Sequence, residues 1–138
     1  MADHALMLLQ SIQSVLDAQV QLAGGWLATR LETPTYPFGT IDMTSSTPVR
    51  GQAFYAEQHR GVVSVWSRKK INSTPSPVEA FQLSEAAHRL LGAAVLSKPG
   101  FVVQQFQCGV LTPRNPDGLT WGRSFIFTAT THEVKTNG

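Results

Sequence analysis

From Phe101 to Thr131 the chain reads FVVQQFQCGVLTPRNPDGLTWGRSFIFTATT, which has the form of a β-hairpin. Over Phe101–Leu111 the residues Val102, Phe106, Cys108 and Val110 share one parity. Side chains two apart on a strand lie on one face. Arg114-Asn115-Pro116-Asp117-Gly118 supplies the turn, with proline and glycine setting the bend. Leu119–Thr131 is the return strand, turning Phe125 and Phe127 to one face and Ile126 to the other. The polar residues from about 132 onward read as a frayed tail.

Upstream of the hairpin, Ser76-Pro77-Val78-Glu79 has the pattern of a capping box, with Pro at the first helical position. It predicts a helix from Pro77 to about Val95 with Leu83, Ala87, Leu90, Leu91 and Ala94 on its apolar stripe, ended by Lys98-Pro99-Gly100. Further back, His59–Arg68 is rich in β-formers and places Val63 and Val65 on one face, Ser64 and Trp66 on the other. Arg68-Lys69-Lys70 follows it, and Ile71–Pro75 reads as a polar turn. Ser45–Gln58 reads as a long loop carrying Phe54 and Tyr55 beside Arg50 and Glu57. Loops longer than the usual 4–6 or so residues are often functional, and aromatic side chains on one are an interface signal.

Two short extended pieces, Trp26–Glu32 and Pro37–Thr44, come before this loop. The first element is a helix. Leu6, Leu9, Ile12, Leu16 and Val20 recur at three- and four-residue intervals. Asp3 is its candidate N-cap and Gly24-Gly25 its candidate stop. The order is therefore helix, three strands, helix, two strands. That is an α+β domain with a mostly antiparallel sheet of about five strands and both helices on one face.

The chain has 138 residues, which fits one domain spanning 1–138. Charged residues are 14%, against a usual share of about 25%, so part of the surface is expected to be covered by a partner. The net charge is +2, all of it in the second half. That weak charge argues against a dedicated nucleic-acid binder, despite a pI near 9.0. No apolar run reaches the roughly 18–20 residues that span a bilayer, and Met1-Ala2-Asp3-His4 lacks the basic patch of a secretory signal.

Cys108 is the single cysteine, so no intrachain disulfide and no paired-cysteine zinc site can form. Within its alternating strand it reads as a small core residue. His4, His59, His88 and His132 are not spaced as metal ligands on one helix. Glu85 and His88 share a helix face and read as a solvated pair. There is no nucleophile elbow, phosphate-binding glycine loop or paired-carboxylate motif. No cofactor, no metal and no catalytic role is expected. The enzyme reading that remains is a Cys108–histidine pair, with nothing local to support it. The basic run at Arg68 reads as a solvated turn, or as a contact with an acidic partner surface or passing DNA.

The outline of the whole chain resembles the tail-terminator (tail-completion) family of long-tailed bacteriophages and its relatives in gene-transfer particles. The resemblance runs from about Leu6 to Thr131. It rests on the N-terminal helix, the segment Tyr36-Pro37-Phe38-Gly39, a long loop, the strand His59-Arg60-Gly61-Val62-Val63-Ser64-Val65-Trp66-Ser67-Arg68, the following helix, and a closing hairpin with Asp117-Gly118 at its turn. Lys69-Lys70-Ile71-Asn72 stands where the family has a glycine-containing turn.

The resemblance implies a virion structural protein. Such a protein forms a ring of its own copies, typically a hexamer, at the head-proximal end of the tail tube. The ring ends tube polymerisation and meets the head-completion (stopper) protein, and DNA passes through its lumen without specific binding. The implied location is the tail of a particle assembled in a bacterial cytoplasm. Arg50, Phe54, Tyr55, Arg68, Lys69 and Lys70 are the candidate interface residues by position and composition. A head–tail adaptor or head-completion component is the alternative. A tube subunit fits less well, because two clear helices are present.

Overall fold

Phe125-Ile126-Phe127 and Val62-Val63-Ser64-Val65 become the middle of two adjacent strands that run through the heart of the sheet. The computed structural model describes residues 3–29, 31–49 and 55–133. Its elements in order are α1 (His4–Gln19), β1 (Trp26–Leu27), β2 (Phe38–Pro48), β3 (Ala56–Ser67), β4 (Lys70–Ile71), β5 (Thr74–Pro75), α2 (Val78–Ala93), β6 (Phe101–Cys108), β7 (Thr112–Arg114) and β8 (Trp121–Glu133). The main sheet runs β1-β2-β3-β8-β6, with β7 also on β8. It is antiparallel except for the short parallel pairing of β1 with β2. The α+β expectation holds, with a six-stranded sheet and a separate two-stranded β4–β5 hairpin.

Both helices cover one face. Leu8, Ile12 and Leu16 of α1 and Ala87 and Leu91 of α2 are buried against Ile41, Val63, Val65, Phe125, Phe127 and Ala129. The phase of α1 differs from the expected stripe, because Leu6 lies exposed and the inward positions are His4, Leu8, Ser11, Ile12 and Leu16. Asp3 caps α1, accepting from the Leu6 N–H at 3.0 Å. The helix ends at Gln19, before Gly24-Gly25, because the Val20 N–H closes the last turn on the Leu16 carbonyl. The double glycine instead turns the chain into β1, with Gly25 at φ 73°. Extended structure there stops at Leu27, short of the expected Glu32.

The capping box does not form. Pro77 occupies the cap position, and Ser76 Oγ accepts from Val78 N–H at 3.3 Å. The Glu79 carboxylate is drawn away by the Ser67 hydroxyl, which donates to it at 2.7 Å. α2 stops at Ala93, and Lys98 to Phe101 form a tight turn with mutual backbone bonds of 2.9 Å around Gly100 at φ 80°. The polar turn at 71–75 is in fact a hairpin, whose two-residue turn puts Asn72 and Ser73 at φ 52° and 65°.

Three larger differences bear on function. First, the Ser45–Gln58 loop is mostly strand, since β2 continues to Pro48 and β3 begins at Ala56, paired through Pro48↔Glu57. Hydroxyl side chains there give no apolar alternation to read. Second, the parity of β6 is not constant. A bulge between Gln104 and Gln107, with Gln105 at φ 53°, lets both Phe101 and Phe106 face the core. Val102 therefore falls on the opposite side, and Val110 is exposed. Third, the first residues of the expected tail are strand: β8 runs to Glu133, and Thr131 is fully buried.

Close approach dictates glycine at Gly61. A Cβ there would strike the Phe127 ring and the Asp42 carbonyl oxygen, whereas one at Gly92 of α2 would meet nothing within 4 Å. Gly61→Ala is expected to lower the unfolding free energy by roughly 1–3 kcal/mol, the usual cost of overpacking. Gly92→Ala is expected to raise it by about 0.5–1 kcal/mol through helix propensity. Urea midpoints of the two variants check both signs.

Candidate functional site

Two polar arrangements stand out, one between the layers and one on the open face of the sheet. The first joins α1 to the end of the sheet. Alternation on β3 and β8 turns Glu57, His59, Thr131 and Glu133 toward the helices, and the first turn of α1 brings His4 onto them. His4 Nε2 lies 3.2 Å from Glu133 Oε1, a carboxylate that only accepts, so this nitrogen carries the hydrogen. His4 Nδ1 lies 2.8 Å from the Thr131 hydroxyl oxygen and 3.7 Å from Glu57 Oε2. His59 Nε2 is hydrogen-bonded to the same Thr131 hydroxyl at 2.8 Å, and His59 Nδ1 to the Ser46 hydroxyl at 2.7 Å. The result is one hydrogen-bonded chain linking Ser46, His59, Thr131, His4 and Glu133. His4, His59 and Thr131 are all buried.

Rings close the chain in. Tyr55 and Phe101 stand edge-on to His4, with centroids 5.1 and 5.4 Å away. Burial first of all pushes the His59 pKa down, and it does so against the attraction of Glu57. The two histidines lie 55 positions apart in sequence, and their meeting has no local signature.

The second arrangement is a groove of about 350 Å³ on the open face, lined by Ser45, Thr47, Gln58, Arg60, Gln105, Gln107, Thr128 and Thr130, with His59 and Ala129 beneath. Register builds it. Ser45 pairs with Arg60, Arg60 with Thr128, and Thr128 with Gln107, so these four form a row across four strands. Thr47, Gln58, Thr130 and Gln104 form the next row. The bulge between Met43 and Ser45 on β2 and the bulge on β6 sit at this level on the two outer strands. They turn Ser45, Thr47 and Gln107 outward while Ser46 and Phe106 turn inward.

The residues singled out from sequence fare unevenly. Arg50 and Phe54 lie outside the described residues. Tyr55 is 38% exposed and sits over the histidine chain. The basic run divides. Arg68 is a structural pin: its Nε donates to Thr120 Oγ1 at 2.9 Å, its guanidinium lies 3.5 Å from Asp117 Oδ2, and it stacks over Tyr36 at 4.6 Å. Asp117 is held ready by the backbone N–H groups of Thr120 and Leu119, which push its pKa down. Lys69 lies 4.0 Å from Glu79 and is largely exposed, and Lys70 is exposed on the small hairpin. The expected Glu85–His88 pair is replaced. Glu85 pairs with Arg89 at 2.6 Å, and His88 Nε2 reaches the Gly109 carbonyl at 2.9 Å. Cys108 packs at the margin of the core, and burial pushes its thiol up to about 11, so little thiolate exists near neutrality.

No protein-family model matches the chain, and no curated protein matches it. Among solved structures, the chain is similar to one from the virion of a native gene transfer agent (GTA) particle. The TM-score is 0.53 and the identity 13%, with 91% of this chain and 91% of that chain covered. The shared feature is the fold: a two-layer α+β domain matched over nearly its full length.

The buried histidine chain generates a pH dependence. With its folded pKa below the ordinary 6.5, His59 contributes stability that is complete above that value and is lost as pH falls below it. The urea midpoint should therefore hold above about pH 6.5 and fall as the pH is lowered below it, with the loss beginning above the range where carboxylates titrate. His59→Gln should flatten that slope. An equal slope in the variant would assign the effect elsewhere.

Proposed function

We propose that this chain is a structural component of a phage-like particle, acting without catalytic turnover as a tail terminator. In this reading copies of the chain form a ring, with six as the expected number, at the head-proximal end of the tail tube. The ring ends tube growth, receives the head-completion protein and leaves a lumen for the genome. The observation that carries the reading is the fold likeness to a gene transfer agent virion chain, which extends over 91% of both chains. The charge-poor surface supports it, because contact surfaces are depleted in charge.

Arg68 is bonded within the subunit while half of its side chain stays exposed, so it remains a contact alongside the others. Lys69, Lys70 and Tyr55 stay as contacts offered to the tube or the head, together with Arg50 and Phe54.

Light scattering on the full chain should give about 90 kDa for six copies of 15.0 kDa each, with rings visible in negative stain. If the chain is monomeric alone, adding tail tubes should give capped ends. Charge reversal at both Lys69 and Lys70 should impair joining of tail to head while leaving the urea midpoint within about 0.5 kcal/mol of the parent, as for ordinary surface changes. Absence of both rings and capped tubes would overturn the terminator reading. Normal particles from the lysine variant would remove those residues from the interface.

A further inference from the structure

We infer that the open-face groove is a binding site for the phosphodiester backbone of DNA, centred on Arg60. Its ionic complement is clear. Arg60 is exposed at the middle of the groove, and among the described residues its guanidinium has no ion-pair partner. No carboxylate lines the groove. Every other outward-facing lining side chain is a hydroxyl or a carboxamide, and both donate to phosphate oxygens.

Its construction is specific. An uninterrupted β2 or β6 would turn Ser45, Thr47 and Gln107 to the wrong side. Two bulges at the level of Arg60 bring them beside it, one of them with Gln105 at φ 53°. Strain of that kind in a non-glycine residue collects at functional sites.

The choice of DNA over an acidic peptide follows from the shape and the lining. The groove crosses four strands and offers no apolar pocket of the kind that alternate side chains of a bound peptide would need. A sugar–phosphate chain needs only regularly placed donors and a cation. One arginine per subunit gives weak contact that does not read sequence, which suits a surface that DNA slides past. The assignment of DNA as the ligand rests on the terminator reading, in which the genome passes through the ring, and the inference adds to it that this face borders the lumen.

The test is an NMR titration of the full isotope-labelled chain with duplex DNA of about 20 base pairs at low salt, where phosphate contacts are strongest. A second titration uses polyglutamate. DNA should shift the side-chain amides of Gln58, Gln105 and Gln107 and the backbone of Thr128 and Thr130. Arg60→Glu should weaken the binding roughly tenfold or more, as expected for loss of a charged hydrogen-bond partner plus repulsion. Arg60→Gln should weaken it less. Arg89→Glu, on the exposed side of α2, should leave it within about twofold, because exposed pairs contribute little. The salt slope for duplex binding should fall by about 0.9 on loss of Arg60.

Shifts that bypass the groove, or that survive Arg60→Glu, would overturn the proposal. Polyglutamate binding as tightly as DNA would overturn it in favour of an acidic protein partner. A chain that caps tail tubes but shows no groove shifts loses the DNA site and keeps the terminator reading. A chain that binds DNA through Arg60 but never caps tubes does the reverse.

Discussion

The unbroken pairing of β3 with β8, from Ala56↔His132 to Ser67↔Trp121, is the constraint on which the rest of the molecule depends. Twelve residue pairs in one register give each strand a fixed alternation, and a slip of one residue would exchange the two faces completely. Odd-numbered residues of both strands go to the helices: Gly61, Val63, Val65, Phe125, Phe127 and Ala129 in the apolar middle, then His59, Thr131 and Glu133 at one end. Even-numbered residues go to the open face, where Gln58, Arg60, Thr128 and Thr130 stand. Both polar arrangements are thus set by one ladder. The outer strands would fall out of phase with it, and the bulges on β2 and β6 bring them back.

The sequence is legible where a residue's neighbours along the chain are also the ones it packs against. Phe125 and Phe127 against Ile126, and Val63 and Val65 against their flanking residues, announce their faces by period-two spacing. Asp3 announces a cap by its distance from Leu6. Legibility fails where a distant group competes for a local one. Glu79 belongs by spacing to Ser76, yet it takes the Ser67 hydroxyl from the strand packed beside it. Glu85 faces both His88 and Arg89, and the i,i+4 pair wins while the Gly109 carbonyl claims His88. The candidate sites follow the same rule. Arg68 stands out in the sequence as one of three adjacent cations, but its surroundings come from Tyr36, Asp117 and Thr120. Nothing about Arg60 is conspicuous until register places hydroxyls and amides on both sides of it.

The buried chain from Ser46 to Glu133 shows why His4 sits at the start of a helix whose other inward positions are mostly apolar. A lone buried imidazole would leave two ring nitrogens to satisfy, at a cost of about 1–3 kcal/mol for each unmet group. Here every ring nitrogen of both histidines has a partner. The chain therefore positions α1 along the sheet, which a sliding apolar contact alone would leave loosely defined. Edge-on packing of Tyr55 and Phe101 against His4 keeps water from competing for those bonds.

A closed ring of identical subunits requires two unlike patches on each subunit that fit each other, because a self-complementary patch yields only a pair. The two edges of this sheet are unlike. At β6 the first part of the edge is covered from within: Ser97 Oγ accepts from the Val103 N–H at 2.9 Å, and Lys98 exchanges bonds with Phe101. At β2 the pairing with β1 ends at Thr40, and among the described residues no second ladder covers the strand from there to Pro48. That open edge carries no charge from Met43 to Pro48, and a bulge after Met43 and the proline at its end are its guards. The two edges thus differ in how far the chain itself covers them.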